Sequence, residues 1–289
     1  MKKIRAALFV NPERDPDFSY SRKVVKTLLA FDIDVCADRR YRGVLGESKD
    51  DVFYYTYVEE LLRNVDMMIV LGGDGTMLEY CEKASTHDLP VLGINLGHLG
   101  FLTTLERDEI RKLSEIADGN YTIDERMMAK VKIIDSGISH EFYALNDVTV
   151  TSATRSKTAD FNINCNGKAD ISFRADGVII STPTGSTAYS LSAGGPVIDT
   201  CTELFCMTPI CPHSLTSRPI VFAADSVITI SGCSGGAESD ICITSDGHGS
   251  IQVSKDAAIE IKKAEYKTKI VRIGDDNFFN ILSKKMYVM

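Results

Sequence analysis

The sequence lacks the long apolar runs of a membrane protein. No stretch of its 289 residues approaches the roughly 18 consecutive apolar residues that cross a bilayer. Residues 1–5 are basic, but only five apolar residues follow, at 6–10, whereas a secretory signal needs about 7–15. These absences predict a cytoplasmic protein that does not act on a membrane, and they favour a short first strand.

An excess of basic residues is also missing. Lys and Arg total 32 against 40 Asp and Glu, which gives a net charge of −8. Proteins that bind nucleic acid or anionic membranes non-specifically normally carry a basic surface. We therefore expect neither partner, and any phosphate that this protein handles must be held by local geometry.

None of the eight cysteines belongs to a Cys-x-x-Cys pair. A chain of this length can bury a core without disulfides, so the cysteines are expected to be reduced thiols. Cys201, Cys206 and Cys211 recur every five residues, but no nearby His or Cys completes a zinc site. The sequence predicts no metal ion held by protein ligands.

Length and pattern predict two domains, since a domain takes about 150 residues. Through residue 120 or so, short apolar runs alternate with helical patterns, which is typical of a doubly wound α/β domain. The predicted strands are residues 4–10, 32–37, 67–71 and 90–94, and the predicted helices are 21–30, 54–64 and 77–84.

Beyond about residue 123 the pattern changes to short runs rich in Val, Ile, Thr and Phe, separated by Asn, Gly, Asp and Ser. Such runs predict a β-rich second domain. They are residues 130–134, 141–145, 148–150, 161–165, 178–180, 220–222, 227–230, 241–244 and 251–253. Residues 277–285 return to a helical pattern.

The turn Gly72-Gly73-Asp74-Gly75-Thr76 stands between a buried strand and a helix. A glycine turn before a helix N-terminus presents unpaired N–H groups that suit a phosphate. It matches neither a Walker loop nor Gly-x-Gly-x-x-Gly. A carboxylate here would hold a cation or take a proton from an attacking hydroxyl, and both roles imply phosphoryl transfer. Alternatively, Asp74 caps the helix.

A second segment, residues 181–192, is rich in hydroxyl groups. Hydroxyls can donate to and accept from a ribose, an amide or a phosphate, although a solvated loop has the same composition. Asn146-Asp147, before the strand at 148–150, could bind a vicinal diol or form an ordinary turn. Arg174 and Asp176 form either a binding pair or a surface ion pair.

One motif is set aside. Gly232-Cys233-Ser234-Gly235-Gly236 fits the nucleophile elbow Gly-x-Ser-x-Gly, but the elbow joins a strand to a helix. Here β-type runs lie on both sides, so a hairpin is the better interpretation and hydrolase chemistry at Ser234 is not expected.

Taken in order, these segments resemble the bacterial NAD kinases over nearly the whole chain. The turn at 72–76 is shared with diacylglycerol kinases, sphingosine kinases and phosphofructokinases, whereas Thr-Pro-Thr-Gly-Ser-Thr-Ala-Tyr at 182–189 is particular to NAD kinases. The remaining matching segments are residues 95–102, 146–147, 176–177, 190–196, 212–215, 217–219 and 246–247.

The resemblance implies a Rossmann-like α/β N-terminal domain and a β-sandwich-like C-terminal domain. The first would span residues 1–124 with the tail 268–289 packing back on it, and the second residues 125–267. It also implies homodimers that assemble into tetramers, NAD as the acceptor, and ATP with a divalent cation, usually Mg²⁺, as the phosphoryl donor.

The resemblance also assigns roles to residues. Asp74 would be the general base on the 2′-hydroxyl of the adenosine ribose, beside a phosphate loop of Gly72, Gly73 and Thr76. Asp176 of the partner subunit would contact the nicotinamide end of NAD. The other expected NAD contacts are Gly75, Phe101, Asn146, Asp147, Thr187, Ala188, Tyr189, Ser190, Leu191 and Ser192.

Four positions vary within the family or depart from its pattern. Asp147 stands where Glu is frequent, and His248 where Gln is frequent, yet both side chains can still bind NAD. Lys157 lies in a variable loop at a basic or polar contact position, and Arg174 at a basic position connected with NAD versus NADH preference.

Two other functions stay open: a lipid kinase of the same superfamily, which the acidic balance disfavours, and a non-catalytic dinucleotide sensor, which Asp74 disfavours.

Overall fold

The structure, a computed structural model, describes residues 3–46, 48, 51–97, 100–153, 158–234, 241–274 and 278–286. The chain divides into two units. The first consists of Met1–Glu125 and Thr268–Met289, and the second of Arg126–Lys267. Within the described residues, no helix is long and apolar enough to cross a membrane.

Strands and helices alternate in the first unit, as the α/β pattern predicts. The strands are β1 (Arg5–Val10), β2 (Asp34–Asp38), β3 (Val52–Tyr55), β4 (Met67–Gly72) and β5 (Pro90–Asn95). The helices are α1 (Ser19–Ala30), α2 (Val58–Arg63), α3 (Asp74–Thr86) and α4 (Ser114–Asp118), with 3₁₀ turns at Arg39–Tyr41 and Arg107–Leu113.

These strands pair in parallel in the order β5-β4-β1-β2-β3, and the end of the chain's last strand pairs with β5 at Lys269 and Ile270. β4 is buried at every position, as expected for a strand covered on both faces of a parallel sheet. The strand order reverses between β1 and β4. In open α/β sheets such a switch point, at the carboxyl ends of the strands, is where ligands bind.

The second unit is built almost entirely of strands. They are β6 (Thr122–Asp135), β7 (Ile138–Ala144), β8 (Asp147–Ser152), β9 (Ala159–Cys165), β10 (Ala169–Ala175), β11 (Gly177–Ser181), β12 (Leu204–Ile210), β13 (Ile220–Ala223), β14 (Ile228–Ser234), β15 (Ile241–Ser245), β16 (His248–Val253) and β17 (Ala258–Arg272). A 3₁₀ turn at Thr184–Thr187 and the short helix α5 (Tyr189–Ser192) follow β11, and α6 (Phe278–Met286) belongs to the first unit.

Two antiparallel sheets share the core of the second unit. One contains β10, β9, β14, β17, β6 and β7, and the other has the order β13-β12-β11-β8-β15-β16. Alternate residues of both sheets enter one apolar cluster, for example Phe161 and Ile163 from β9 with Val178 and Ile180 from β11. This period of two is the burial pattern of a β-sandwich. Both parts of the predicted fold class are therefore confirmed.

Local predictions failed in both units. The helix predicted for residues 54–64 starts only at Val58, because Val52–Tyr55 forms β3 and pairs with β2; β-branched and aromatic residues favour a strand there. In the second unit β10, β12 and β17 are not predicted. β10 has the apolar and polar alternation of a half-buried strand, and β12 contains Pro209, a residue that is rare inside strands. In β17, lysines and glutamates occupy the positions between the buried isoleucines.

Candidate functional site

The turn Gly72-Gly73-Asp74-Gly75-Thr76 lies where β4 ends and α3 begins. A Cβ on Gly72 would lie 2.4 Å from Thr76 Oγ1, so only glycine fits there. The Asn11 amide donates to Thr76 Oγ1 (2.9 Å), which ties the turn to the loop that follows β1. Among the described residues, none approaches within 4 Å of a Cβ placed on Gly73 or Gly75. The turn is thus fixed through Thr76 at the switch point, and there is space for a ligand beside the Cα atoms of Gly73 and Gly75.

Asp74 is the first residue of α3, and its carboxylate reaches the loop that follows β5. Its two oxygens accept hydrogen bonds from the backbone N–H groups of Phe101 (2.7 Å) and Leu102 (3.0 Å). The fit is close, because a Cβ on Gly100 would lie 2.0 Å from Asp74 Oδ1. Each carboxylate oxygen has two lone pairs, so each keeps acceptor capacity for a substrate.

Arg272, at the end of β17, supports this loop from the other side. Its guanidinium donates to the carbonyl oxygens of Phe101 (3.2 Å) and Thr103 (3.3 Å), and its Nε donates to Asp124 (3.2 Å). Only 7% of Arg272 is exposed. Phe101 is therefore held at its N–H by Asp74 and at its carbonyl by a buried cation.

A second cation lies over the ring of Phe101. Lys285 of α6 places its ammonium 4.2 Å from the ring centroid, and the ring of Phe278 lies 6.3 Å away. Partial desolvation lowers the pKa of Lys285, while the negative charges of Asp74 and Glu106 act in the opposite direction. The last helix thus adds positive charge beside the Asp74 carboxylate.

In the second unit, Leu145 and Asn146 form the turn between β7 and β8, and Asp147 is the first residue of β8. The N–H groups of Leu145 (2.8 Å), Asn146 (2.7 Å) and Asp147 (3.0 Å) all donate to the carboxylate of Asp246. Asp147 is 5% exposed and accepts from Thr149 Oγ1. Burial, and next the nearby charge of Asp246, raise the pKa of Asp147 to about 7.

The hydroxyl-rich loop is mostly turned inward. Ser186 Oγ donates to the Pro183 carbonyl and accepts from the Ile198 N–H, and Ser190 Oγ lies 2.9 Å from Thr208 Oγ1. Both serines are fully buried, so their hydroxyls stabilise the loop. Five predicted contact residues of this loop retain accessible surface: Thr187, Ala188, Tyr189, Leu191 and Ser192.

The structure separates Arg174 from Asp176. Arg174 forms a two-bond ion pair with Asp160 (2.6 and 2.8 Å) across β9 and β10, whereas Asp176 is exposed in the connection between β10 and β11. His248 is exposed at the start of β16. Lys157 lies outside the described residues.

The described part of the chain holds no group of three or more His, Cys, Asp or Glu side chains that could bind a metal ion. None of the seven cysteines described there belongs to a disulfide. The set-aside motif at 232–236 begins in β14, which extends to Ser234, and its last two glycines lie outside the described residues.

Sequence reasoning missed Asn11, Arg272, Lys285 and the function of Asp246. For Asn11 a signal was present, since it directly follows the first strand of an α/β sheet, where ligand loops lie. Arg272 carries no local signal, because its partner Phe101 is 171 residues away in the chain. The same holds for Asp246 and Asn146, which are 100 residues apart.

Two family models match the chain. The ATP-NAD kinase N-terminal domain matches residues 6–121, and the ATP-NAD kinase C-terminal domain matches residues 145–273. Both ranges contain the structural features described above, the first the Asp74 turn and the second the Asn146 turn with Asp246.

Named relatives agree with these matches. The chain is 36% identical over 288 residues to an NAD kinase of Thermoanaerobacter sp., covering 99% of each sequence, and 37% identical to that of Symbiobacterium thermophilum over 77% of this chain and 78% of the relative. Yeast NADH kinase, solved with NADH, has the same fold (TM-score 0.89, 21% identity, 99% of this chain and 89% of the other). So does an NAD kinase from Archaeoglobus fulgidus solved with ATP (TM-score 0.73, 24% identity, 98% of each chain).

Proposed function

The chain belongs to the NAD kinase family, and on that premise we propose that Asp74 is the general base that activates the 2′-hydroxyl of the adenosine ribose of NAD. The reaction is the transfer of the γ-phosphoryl group of ATP to that hydroxyl, which gives NADP and ADP. The observation that carries the assignment is the position of the Asp74 carboxylate at the switch point, with both oxygens fixed by the N–H groups of Phe101 and Leu102.

The proposed step balances in atoms and charge. The 2′-hydroxyl proton moves to Asp74 as the ribose oxygen forms a bond to the γ-phosphorus, and the bond to the β-phosphate oxygen breaks to release ADP. The two fixed N–H bonds orient the carboxylate before substrate arrives, which lowers the cost of reaching the reactive geometry. A positioned base contributes typically about 10²–10⁴-fold in rate.

We assign the phosphate-binding role to the backbone of the Gly72, Gly73 and Thr76 turn, with Gly75 against the dinucleotide. The helix N-terminus supports this role, because its N–H groups and dipole favour anions. The space beside the Cα atoms of Gly73 and Gly75 supports it as well. Phe101 would close over the substrate beside them.

Asn146, Thr187, Ala188, Tyr189, Leu191 and Ser192 are the proposed contacts of NAD in the second unit. Two features support this assignment: these side chains retain accessible surface, and hydrogen bonds within the turn and the loop hold their backbone in place. Asp147 and Ser190 are also proposed near NAD, but their burial means that they act chiefly by shaping the turn and the loop. Lys157, Arg174 and His248 stay expected contacts from the family resemblance.

Mg²⁺ is proposed to enter with ATP. Mg²⁺ usually binds through substrate phosphates and one or two carboxylates instead of an all-protein cage. The donor set of the described residues fits that mode, since single carboxylates such as Asp74 are present but no cluster of three ligands. When bound, the cation would neutralise charge on the phosphates.

We also propose a cytoplasmic location and a homodimer or homotetramer. Asp176 of the partner subunit would then lie at the NAD site.

A direct assay tests the function. Purified protein is incubated with NAD, ATP and Mg²⁺, and NADP is measured with an NADP-specific dehydrogenase. The lipid kinase alternative is tested in parallel with diacylglycerol in mixed vesicles. NADP formation with no lipid phosphate is the expected result. Lipid phosphorylation without NADP would overturn the proposal, and NAD binding without any turnover would support a dinucleotide sensor.

A further inference from the structure

The Asn146 turn is enclosed by a second turn that comes from another hairpin. Asp246 lies between β15 and β16 with a left-handed backbone (φ 51°), followed by Gly247 (φ 71°). This conformation points its carboxylate at three consecutive N–H groups, those of Leu145, Asn146 and Asp147, at 2.7–3.0 Å. Its own N–H donates to the Asp147 carbonyl (2.9 Å).

The start of the hydroxyl-rich loop closes the other side of the turn. Thr182 donates its N–H to the Asn146 carbonyl (2.9 Å) and its hydroxyl to the Leu145 carbonyl (2.5 Å). Gly185 packs against the same backbone, since a Cβ there would lie 2.1 Å from the Asn146 carbonyl oxygen.

The N–H groups and carbonyls of the turn are therefore all bonded within the second unit. Fully satisfied buried polar groups give a backbone one strongly preferred conformation. Asn146 itself is half-buried, and among the described residues no hydrogen-bond partner is found for its side-chain amide. The amide therefore keeps donor and acceptor capacity for a ligand.

We propose that Asp246 is a positioning residue for NAD: its carboxylate fixes the turn that presents the Asn146 amide to the substrate. This inference rests on the function proposed above and adds a residue to it. Asp246 does not touch NAD in this proposal, and it acts only through Asn146.

An aspartate suits this position better than an asparagine. An ionised carboxylate only accepts hydrogen bonds, whereas an asparagine would turn one NH₂ group toward the N–H donors. Burial raises the pKa of Asp246 to about 6 and the three N–H bonds oppose that rise. These three backbone N–H bonds favour the charged form of Asp246, whereas the carboxyl of Asp147 accepts from Thr149 Oγ1.

The test compares Asp246→Asn with Thr182→Val. The valine removes the hydroxyl bond to the Leu145 carbonyl and the long bond that the hydroxyl accepts from the Gly185 N–H (3.4 Å), and it nearly preserves the shape of the side chain. Initial rates of NADP formation are measured with NAD and ATP varied separately. We expect the KM for NAD to rise about tenfold in Asp246→Asn, which is the effect expected from losing one charge-assisted hydrogen bond. The rise should be smaller in Thr182→Val. The KM for ATP should change by less than about twofold.

Asp135→Asn is the matched control. Asp135 also caps a hairpin, by accepting from the N–H (3.0 Å) and hydroxyl (2.6 Å) of Ser254, but it lies at the far end of β7 from the Asn146 turn. Its kinetic constants should equal those of the wild type.

The outcomes separate the two proposals. A wild-type protein that forms no NADP overturns the proposed function. An active wild type with an unchanged KM for NAD in Asp246→Asn overturns the positioning role, and so does an equal rise in both KM values. If Asp246→Asn does not fold, Thr182→Val decides alone: a selective rise in the KM for NAD supports the role, and an unchanged KM rejects it.

Discussion

The Asp74 carboxylate and the Phe101 backbone N–H form a 2.7 Å hydrogen bond between the first turn of α3 and the loop after β5. This bond explains why a carboxylate can lie in a turn that is proposed to bind phosphate. The helix N-terminus and two N–H donors stabilise its charge, and the bond fixes its direction. Asp74 and Phe101 therefore hold each other in place.

Asp74→Asn should lower kcat by about 10²–10⁴-fold, because the amide cannot accept the 2′-hydroxyl proton. NAD binding, measured by calorimetry without ATP, should be largely retained. The control is Glu79→Gln, an exposed carboxylate on the same helix, which should leave both quantities unchanged. A wild-type kcat in Asp74→Asn would contradict the base assignment, and loss of NAD binding would make Asp74 chiefly a ligand contact.

Gly100→Ala should reduce kcat nearly as much as Asp74→Asn, although it changes no functional group. The new Cβ would lie 2.0 Å from Asp74 Oδ1 and 2.6 Å from Thr103 Oγ1, so the carboxylate must leave its N–H donors. Gly97→Ala is the control in the same segment, since its Cβ would meet the flexible end of Arg14 at 3.3 Å and Asn95 Oδ1 at an ordinary contact distance of 4.0 Å. Equal activity of the two variants would show that the position of Asp74 does not limit turnover.

Sequence patterns predict the architecture of this protein better than they predict the residues that hold the candidate site in place. The alternation of buried strands and helices predicts the first unit, and the glycines around Asp74 identify its turn, because both signals are local. Arg272, Lys285 and Asp246 act on residues that are distant in the chain. No spacing rule reveals such pairs, since only the folded sheets bring them together.

Burial also separates residues that the sequence treats alike. Ser190 and Ser192 are two hydroxyls of one loop, yet Ser190 is buried against Thr208 and Ser192 is exposed. Arg174 and Asp176 are two positions apart in one motif, yet the ion pair of Arg174 is formed with Asp160 on β9. Sequence-based site prediction therefore identifies the loop but not the role of each side chain.

Asp147 should make stability depend on pH in the direction opposite to an ordinary ion-paired carboxylate. Its folded-state pKa, about 7, is above the unfolded value of about 3.9, so the folded protein binds the proton more tightly between these limits. The stability that this group contributes is complete below about pH 4 and is lost as the pH rises to 7.

Urea unfolding of wild type and Asp147→Asn at pH 5, 6, 7 and 8 measures this effect. Between pH 5 and pH 8, the free energy of unfolding of the wild type should fall by about 2–4 kcal/mol relative to that of the variant. The difference is smaller to the extent that Asp246 takes up part of the same titration. Asp160→Asn provides the contrast, because the hydrogen bonds from Arg174 lower the pKa of Asp160 and its contribution is lost as pH falls. Parallel pH curves for wild type and Asp147→Asn would contradict the raised pKa.

The active protein should be an oligomer of at least two chains, since the proposed NAD site includes Asp176 of the partner subunit. Light scattering coupled to size-exclusion chromatography, with the assay run on the same fractions, checks this expectation. A monomer with full specific activity would contradict the shared site.

NADP should bind more tightly as the Mg²⁺ concentration rises. The 2′-phosphate of NADP would lie beside the Asp74 carboxylate, and two anions in a partly desolvated site repel each other unless a cation lies between them. Two unit charges about 4 Å apart interact by about 1 kcal/mol in water, so the Kd should fall by about fivefold. Calorimetric titration of NADP without ATP, at constant ionic strength and several Mg²⁺ levels, measures it directly. Asp74→Asn should bind NADP more tightly at low Mg²⁺ and should lose most of the dependence, because one of the two anions is gone. If the wild-type Kd does not change with Mg²⁺, or if the variant retains the same dependence, Asp74 does not face the 2′ position, and its assignment as the base fails with it.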